Sequence, residues 1–227
     1  MTEAELDALR LSLQVGLVAV LALAGPAGWL AYWLARTERA GLRAAVEALV
    51  VLPLVLPPVV IGYLLLVLLG PRGPIGGWLY SIGIQLPFTW WGAALAAAVL
   101  GFPLMVRTMR QAFEAVDPGL EQAARTLGAS RGRVWWTVTL PLALRGCVAG
   151  AVLCFARSLG EFGATMTFAG NIAGETRTLP LSIWTALQRA DGDAMAWRAT
   201  WICITIAVVA AFASEWLLRR APRGGHA

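Results

Sequence analysis

Arg157 and Glu161 stand four residues apart in an otherwise apolar stretch, a spacing that puts both on one face of a helix. A charge at the centre of a bilayer costs roughly 2.5–3.5 kcal/mol on insertion scales, so such residues pair or face water. Two readings follow. The pair is a structural tie between helices, or it lines a polar pathway in which Arg157 offers positive potential to an anion and Glu161 orients it. Ser158, Thr165 and Thr167 lie on the same segment. Their hydroxyls can replace water around an anion's oxygens, or bond their own helix backbone instead. Gly160 and Gly163 flank Glu161 and admit a close neighbour.

Other chemistry is scarce. All 18 basic residues are arginine, so the chain has no G-x-x-x-x-G-K-[ST] loop and does not cradle nucleotide phosphates that way. The single histidine, His226, stands next to the last residue, which leaves no His-based metal or acid–base site. Cys147, Cys154 and Cys203 sit in apolar runs and read as small core residues. No catalytic residue, metal site or cofactor is expected of this chain.

Composition sets the class. Of 227 residues, 59% are hydrophobic and 14% charged, against about 25% charged in ordinary soluble domains. Mean hydropathy is +0.70. A soluble domain of this size cannot bury so much apolar surface, which excludes a soluble enzyme, and disorder with it. The +5 charge is compatible with nucleic acid, but the arginines flank the apolar runs. The partner they imply is a lipid bilayer, with no nucleic acid. The opening MTEAELDALR is acidic and no small-residue cleavage site follows, so no removable signal peptide is expected.

The elements that hold these residues are helices. Five apolar runs, about 11–35, 46–69, 88–109, 146–169 and 197–218, approach the ~20 residues a spanning helix needs. Twelve arginines fall between the first two spans, in 107–145 and after the last span, against five in the alternate segments. Cytoplasmic loops carry the arginine excess, which predicts a periplasmic N-terminus and a cytoplasmic C-terminus. The tail 219–227 is too short for a regulatory domain. Pro26, Pro53, Pro57, Pro58 and Pro103 interrupt the spans, either as ordinary kinks or as hinges around a cavity.

The segment 107–145 is built to be rigid. Asp117-Pro118 starts a helix, with Leu120, Ala123, Ala124 and Leu127 on one face and Glu121, Gln122 and Arg125 opposite. Gly128 suits a left-handed stop, Ser130 caps a second short helix over 131–138, and Leu140-Pro141 ends it. Trp135 and Trp136 offer large amphipathic surface. The loop either rests on lipid headgroups or is a stiff lever for a cytoplasmic partner.

Gln122-Ala123-Ala124, three residues, Gly128, nine residues, then Val138-Thr139-Leu140-Pro141 resembles the EAA–x3–G–x9–I–x–L–P loop of ABC-importer permeases. Gln122 stands where that family usually has Glu, and Val138 replaces Ile. The segments 52–66, 92–107, 120–143 and 156–184 extend the resemblance over roughly residues 10–218, toward the molybdate branch, with sulfate/thiosulfate permeases close by.

The resemblance implies an all-α integral membrane protein of the type I ABC importer permease fold, with five kinked transmembrane helices and a coupling-helix loop. It implies a bacterial inner-membrane location and a molybdate importer subunit paired with a second copy of itself. Two cytoplasmic ATPase subunits use ATP, and a periplasmic molybdate-binding protein delivers the anion. Glu121, Gln122, Ala123, Ala124, Gly128, Leu140 and Pro141 are then the ATPase-coupling residues. The oxyanion passes between the two permeases, so Arg157, Ser158, Glu161, Thr165 and Thr167 become pathway candidates.

In 171–196 a short helix over 181–189 is expected, with Arg177, Trp184 and Arg189 at the periplasmic mouth or on a merely solvated loop. Sulfate, thiosulfate or tungstate are the alternative cargoes. An ion-gradient-driven transporter would need several embedded acids, and an intramembrane enzyme an embedded catalytic set; the spans offer neither.

Overall fold

The computed structural model describes residues 2–219. The tail from 220 onward, including Arg220, Arg223 and His226, lies outside the described residues.

Helix α1 runs Glu3–Arg36, well before the expected start at 11. A reciprocal cap explains the extension. The Thr2 hydroxyl accepts from the Glu5 amide, and the Glu5 carboxylate accepts from the Thr2 amide at 2.7 Å. Pro26 lies inside this helix without ending it.

The expected second span is broken, and the prolines are more than a kink. Helix α2 (Ala40–Val55) and α3 (Pro58–Leu69) meet at 106°. Pro57 and Pro58 lack N–H donors and push the residue before each out of the helical region, so Leu56 and Pro57 are extended, with ψ of 142° and 135°. A short α4 (Gly76–Ser81) follows. Helix α5 (Trp90–Glu114) opens on the Thr89 hydroxyl, which accepts from the Gly92 amide.

The loop region holds α6 (Pro118–Thr126) and α7 (Arg131–Val134). Here the structure corrects two expectations. Leu140-Pro141 does not stop the second loop helix: a π-helical turn, Trp135–Thr139, joins α7 to α8 (Leu140–Leu159) in one continuous rod from 131 to 159. The wider turn leaves donors near Pro141 outside the regular ladder, so its missing N–H is tolerated. Conversely, the apolar run 146–169 is not one helix. It breaks at 160–162, and α9 (Gly163–Phe168) starts anew.

Helix α10 spans Leu179–Leu187, two residues earlier than expected, because Pro180 suits a first-turn position. Helix α11 is Asp193–Arg219. Four of these helices are long and apolar enough to cross a membrane, or five if the α2–α3 pair counts as one broken span.

The core is built around α5. Ala93, Ala94, Ala96, Ala97 and Ala98 are all buried, and such small side chains let α1 and α8 approach on either side. Helix α11 packs on α8 and α10, while Val208, Val209 and Phe212 stay exposed on its outer face.

Candidate functional site

Two constellations carry chemistry, one at the break between α8 and α9, past the end of the 131–159 span, and one in the 107–145 loop. At the first, Arg157 Nη1 donates to Glu161 Oε2 at 2.7 Å. The other carboxylate oxygen accepts from the Ala164 amide at 2.9 Å, capping the start of α9. Glu161 is 2% exposed, whereas 29% of the Arg157 side chain remains open. One cation and one amide hold this buried acid between α8 and α9, and because α8 ends at Leu159, Glu161 stands in the break rather than on a helix face shared with Arg157.

The hydroxyls divide. Ser158 donates to the Cys154 carbonyl at 2.9 Å and Thr167 to the Gly163 carbonyl at 2.8 Å, so both spend their protons on their own helices. Thr165 is buried, 1% exposed. Helix α9 lies tight against α3: a Cβ on Gly62 would fall 2.7 Å from the Ala164 carbonyl oxygen, and one on Gly163 3.0 Å from Pro58 Cβ. The broken α2–α3 span and the short helix α9 therefore interlock through backbone.

Trp184 comes to this region as well, its ring centred 6.2 Å from that of Phe162, which follows Glu161. Arg177 is held elsewhere, within its own loop. Its Nε donates to Asn171 Oδ1 at 2.7 Å, and Asn171 in turn donates to Thr185 at 2.9 Å, so Arg177 serves to fold its own loop.

In the loop, Asp117 caps α6 by accepting from the Gly119 amide at 2.8 Å. Gly128 ends the turn after α6 at φ +86°, a left-handed conformation that disfavours a side chain. Ser130 caps α7. Leu120, Ala123, Leu127 and Gln122 are exposed, Leu127 at 89%, while Ala124 is half-buried, so the apolar face of α6 looks outward. Leu140 is half-buried and Pro141 exposed.

Glu121, expected on the face opposite this one with Gln122 and Arg125, departs from them by turning into the protein. Arg36 Nη2 and Thr139 Oγ1 each donate to its Oε1 at 2.8 Å, and neither partner was visible from local spacing. Trp135 and Trp136, expected together on the surface, part company. Trp136 is 68% exposed, while Trp135 packs against Tyr32 and Phe113.

A third cluster was missed altogether. Arg43 and Arg110 interleave with Glu47 and Glu114, tying α2 to α5 near the same loop. Glu47 and Arg43 are an i, i+4 pair, as are Arg110 and Glu114, and that spacing was the available signal.

Bent, apolar helices around an alanine-rich core, with a capped short helix set outside the bundle, describe an all-helical protein built to cross a membrane. The chain belongs to the family of binding-protein-dependent transport system inner membrane components, whose model matches residues 25–223. It is 53% identical over 221 residues, 96% of each chain, to the molybdenum transport system permease protein ModB of Escherichia coli K12. The ModB protein of Haemophilus influenzae is 48% identical over 217 residues, 95% of this chain and 94% of that one.

Solved structures share the fold. The inward-facing MetNI methionine ABC transporter matches with TM-score 0.68 at 18% identity, covering 98% of this chain and all of that one. A bacterial ABC transporter that imports alginate matches with TM-score 0.68 at 19% identity, covering 98% and 82%. The chain is thus a multi-pass inner-membrane transport component rather than an enzyme.

Proposed function

We propose that the chain is the membrane subunit of an ATP-driven molybdate importer. It pairs with a second copy, receives the anion from a periplasmic binding protein, and is driven by two cytoplasmic ATPase subunits. The observation that carries the cargo is the 53% identity, over 96% of the chain, to a permease named for molybdenum transport. The outward apolar face of α6 supports the drive: Leu120, Ala123 and Leu127 form a small, capped handle set off from the bundle by Gly128. The chain has no nucleotide loop, so hydrolysis belongs to the partner.

The orientation puts the N-terminus in the periplasm and the arginine-rich 107–145 loop in the cytoplasm, where that handle meets the ATPase. ATPase closure moves α6, and the bundle moves between states that differ in their contacts, as any transmitted energy requires. Along the pathway, Arg157 holds Glu161 while its side chain stays partly exposed, and this cation favours a dianion without trapping it. Ser158, Thr165 and Thr167 support the wall around it, with Arg177 and Trp184 toward the outer mouth.

The test is uptake of labelled molybdate into proteoliposomes holding the permease with its ATPase and binding protein. Uptake that requires ATP and is outcompeted by tungstate but weakly by sulfate is expected. Preference for sulfate or thiosulfate would reassign the cargo. Accumulation by the permease alone would overturn the ATP-driven reading.

A further inference from the structure

In the coupling loop the acid points the wrong way for a docking contact. Glu121 is 4% exposed while its neighbours Gln122 and Ala123 are open. Its Oε1 is held from two elements at once, by Arg36 at the last residue of α1 and by Thr139 at the end of the π-helical turn, each at 2.8 Å. The same Arg36 nitrogen donates to the Val116 carbonyl at 3.3 Å, just beyond α5. One carboxylate thereby joins α6 to the ends of α1 and α8, and the arginine it holds carries the link on to the end of α5.

What lies beneath fits a joint. Tyr32, Phe113 and Trp135, one from each of those three ends, pack together with ring centres 4.5 to 5.6 Å apart. The π-helical turn that carries Trp135 and Thr139 has looser bonding than an α-helix, and such turns recur where a helix must adjust. A groove of about 960 Å³ opens beside it, lined by Tyr32, Phe113, Trp135 and Thr139, and leaves room for movement. Arg36 Nε is buried with no hydrogen-bond partner among the described residues, so this cation leans on Glu121 for its neutralisation.

We infer that Glu121 is the positioning residue through which displacement of α6 reaches the membrane bundle, pulling α1 through Arg36 and α8 through Thr139. The docking surface and the transmission point occupy opposite sides of one helix. Leu120, Ala123 and Leu127 receive the push; Glu121 passes it on. This rests on the reading that an ATPase docks at α6.

The test uses the complete transporter in proteoliposomes and reads labelled molybdate taken up per ATP hydrolysed. Glu121→Gln, Arg36→Gln and Thr139→Val are each expected to raise the ATP used per anion at least threefold. Combining Glu121→Arg with Arg36→Glu should bring that ratio back to within twofold of the wild-type value. A ratio unchanged in Glu121→Gln, whatever the fall in absolute uptake, overturns the inference, because a merely structural residue lowers both quantities together. If Glu121 variants fail to assemble, Thr139→Val decides: it removes one hydrogen bond and keeps the charge pair, and an unchanged ratio there overturns the joint. Wild-type uptake that needs no ATPase overturns the functional reading and the joint with it. ATP-coupled wild-type uptake with unchanged variant ratios overturns the joint alone.

Discussion

Arg157, in the last turn of α8, forms an ion pair with Glu161, two residues past the end of that helix, and the same carboxylate accepts the Ala164 amide of the next helix at 2.9 Å. Stability and positive potential are thus combined in a pair that straddles the break between α8 and α9. Arg157→Ala leaves a buried acid without its cation, at a cost of about 1–3 kcal/mol given the partial exposure of the arginine. Molybdate uptake is expected to fall at least tenfold while the complex remains isolable. Glu161→Gln keeps an acceptor for the amide and should lose less uptake. A larger loss in Glu161→Gln than in Arg157→Ala would remove Arg157 as the group that attracts the anion.

Gly128 sits at φ +86° with open space where a Cβ would go, so only backbone strain opposes a side chain there. Gly128→Ala should cost about 1–2 kcal/mol locally and tilt α6. Gly128→Asp adds a charge beside the handle. Uptake is expected to fall more than ATPase binding in the first variant, and both in the second. Binding and uptake at wild-type levels in Gly128→Asp would count against the handle.

Close packing of α3 on α9 makes Gly62 intolerant of growth. Gly62→Ala would drive a Cβ to 2.7 Å from the Ala164 carbonyl oxygen, and overpacking of this kind costs about 1–3 kcal/mol. Gly25→Ala, where nothing lies within 4 Å, serves as the control and should gain about 0.5–1 kcal/mol of helix stability. Thermal unfolding in detergent measures both. Equal melting temperatures for the two variants would mean that α3 and α9 do not interlock as described.

Orientation is checked by labelling. A cysteine replacing Ser81 should react with a membrane-impermeant thiol reagent on intact cells, while one replacing Arg133 should react only after permeabilisation. Reversal of that pattern would invert the topology drawn from the arginines.

Helices, their approximate number and the rigid loop were legible because each is a local pattern. Asp117-Pro118, Gly128 and Ser130 act within a few residues of themselves, and the structure finds each in its expected backbone role. Breaks were harder. Hydropathy runs smoothly through 146–169 because Gly160 and Glu161 dilute it little, yet the helix stops at Leu159. Pro141 reads as a stop, yet a wider turn absorbs it. A window average does not register whether a missing hydrogen bond is repaired by the turn before it.

Sequence alone determined that this chain lives in a bilayer, that it carries a capped handle between its third and fourth spans, and that Arg157 and Glu161 stand close enough along the chain to pair. Those are consequences of composition and of spacing over a turn or two. Only the tertiary structure decided where the acids point. Glu121 meets Arg36, 85 positions away, and Glu5 meets Arg198, 193 positions away. A buried carboxylate must find its counter-charge wherever the packed helices bring one, and that meeting is a property of the bundle rather than of any segment within it.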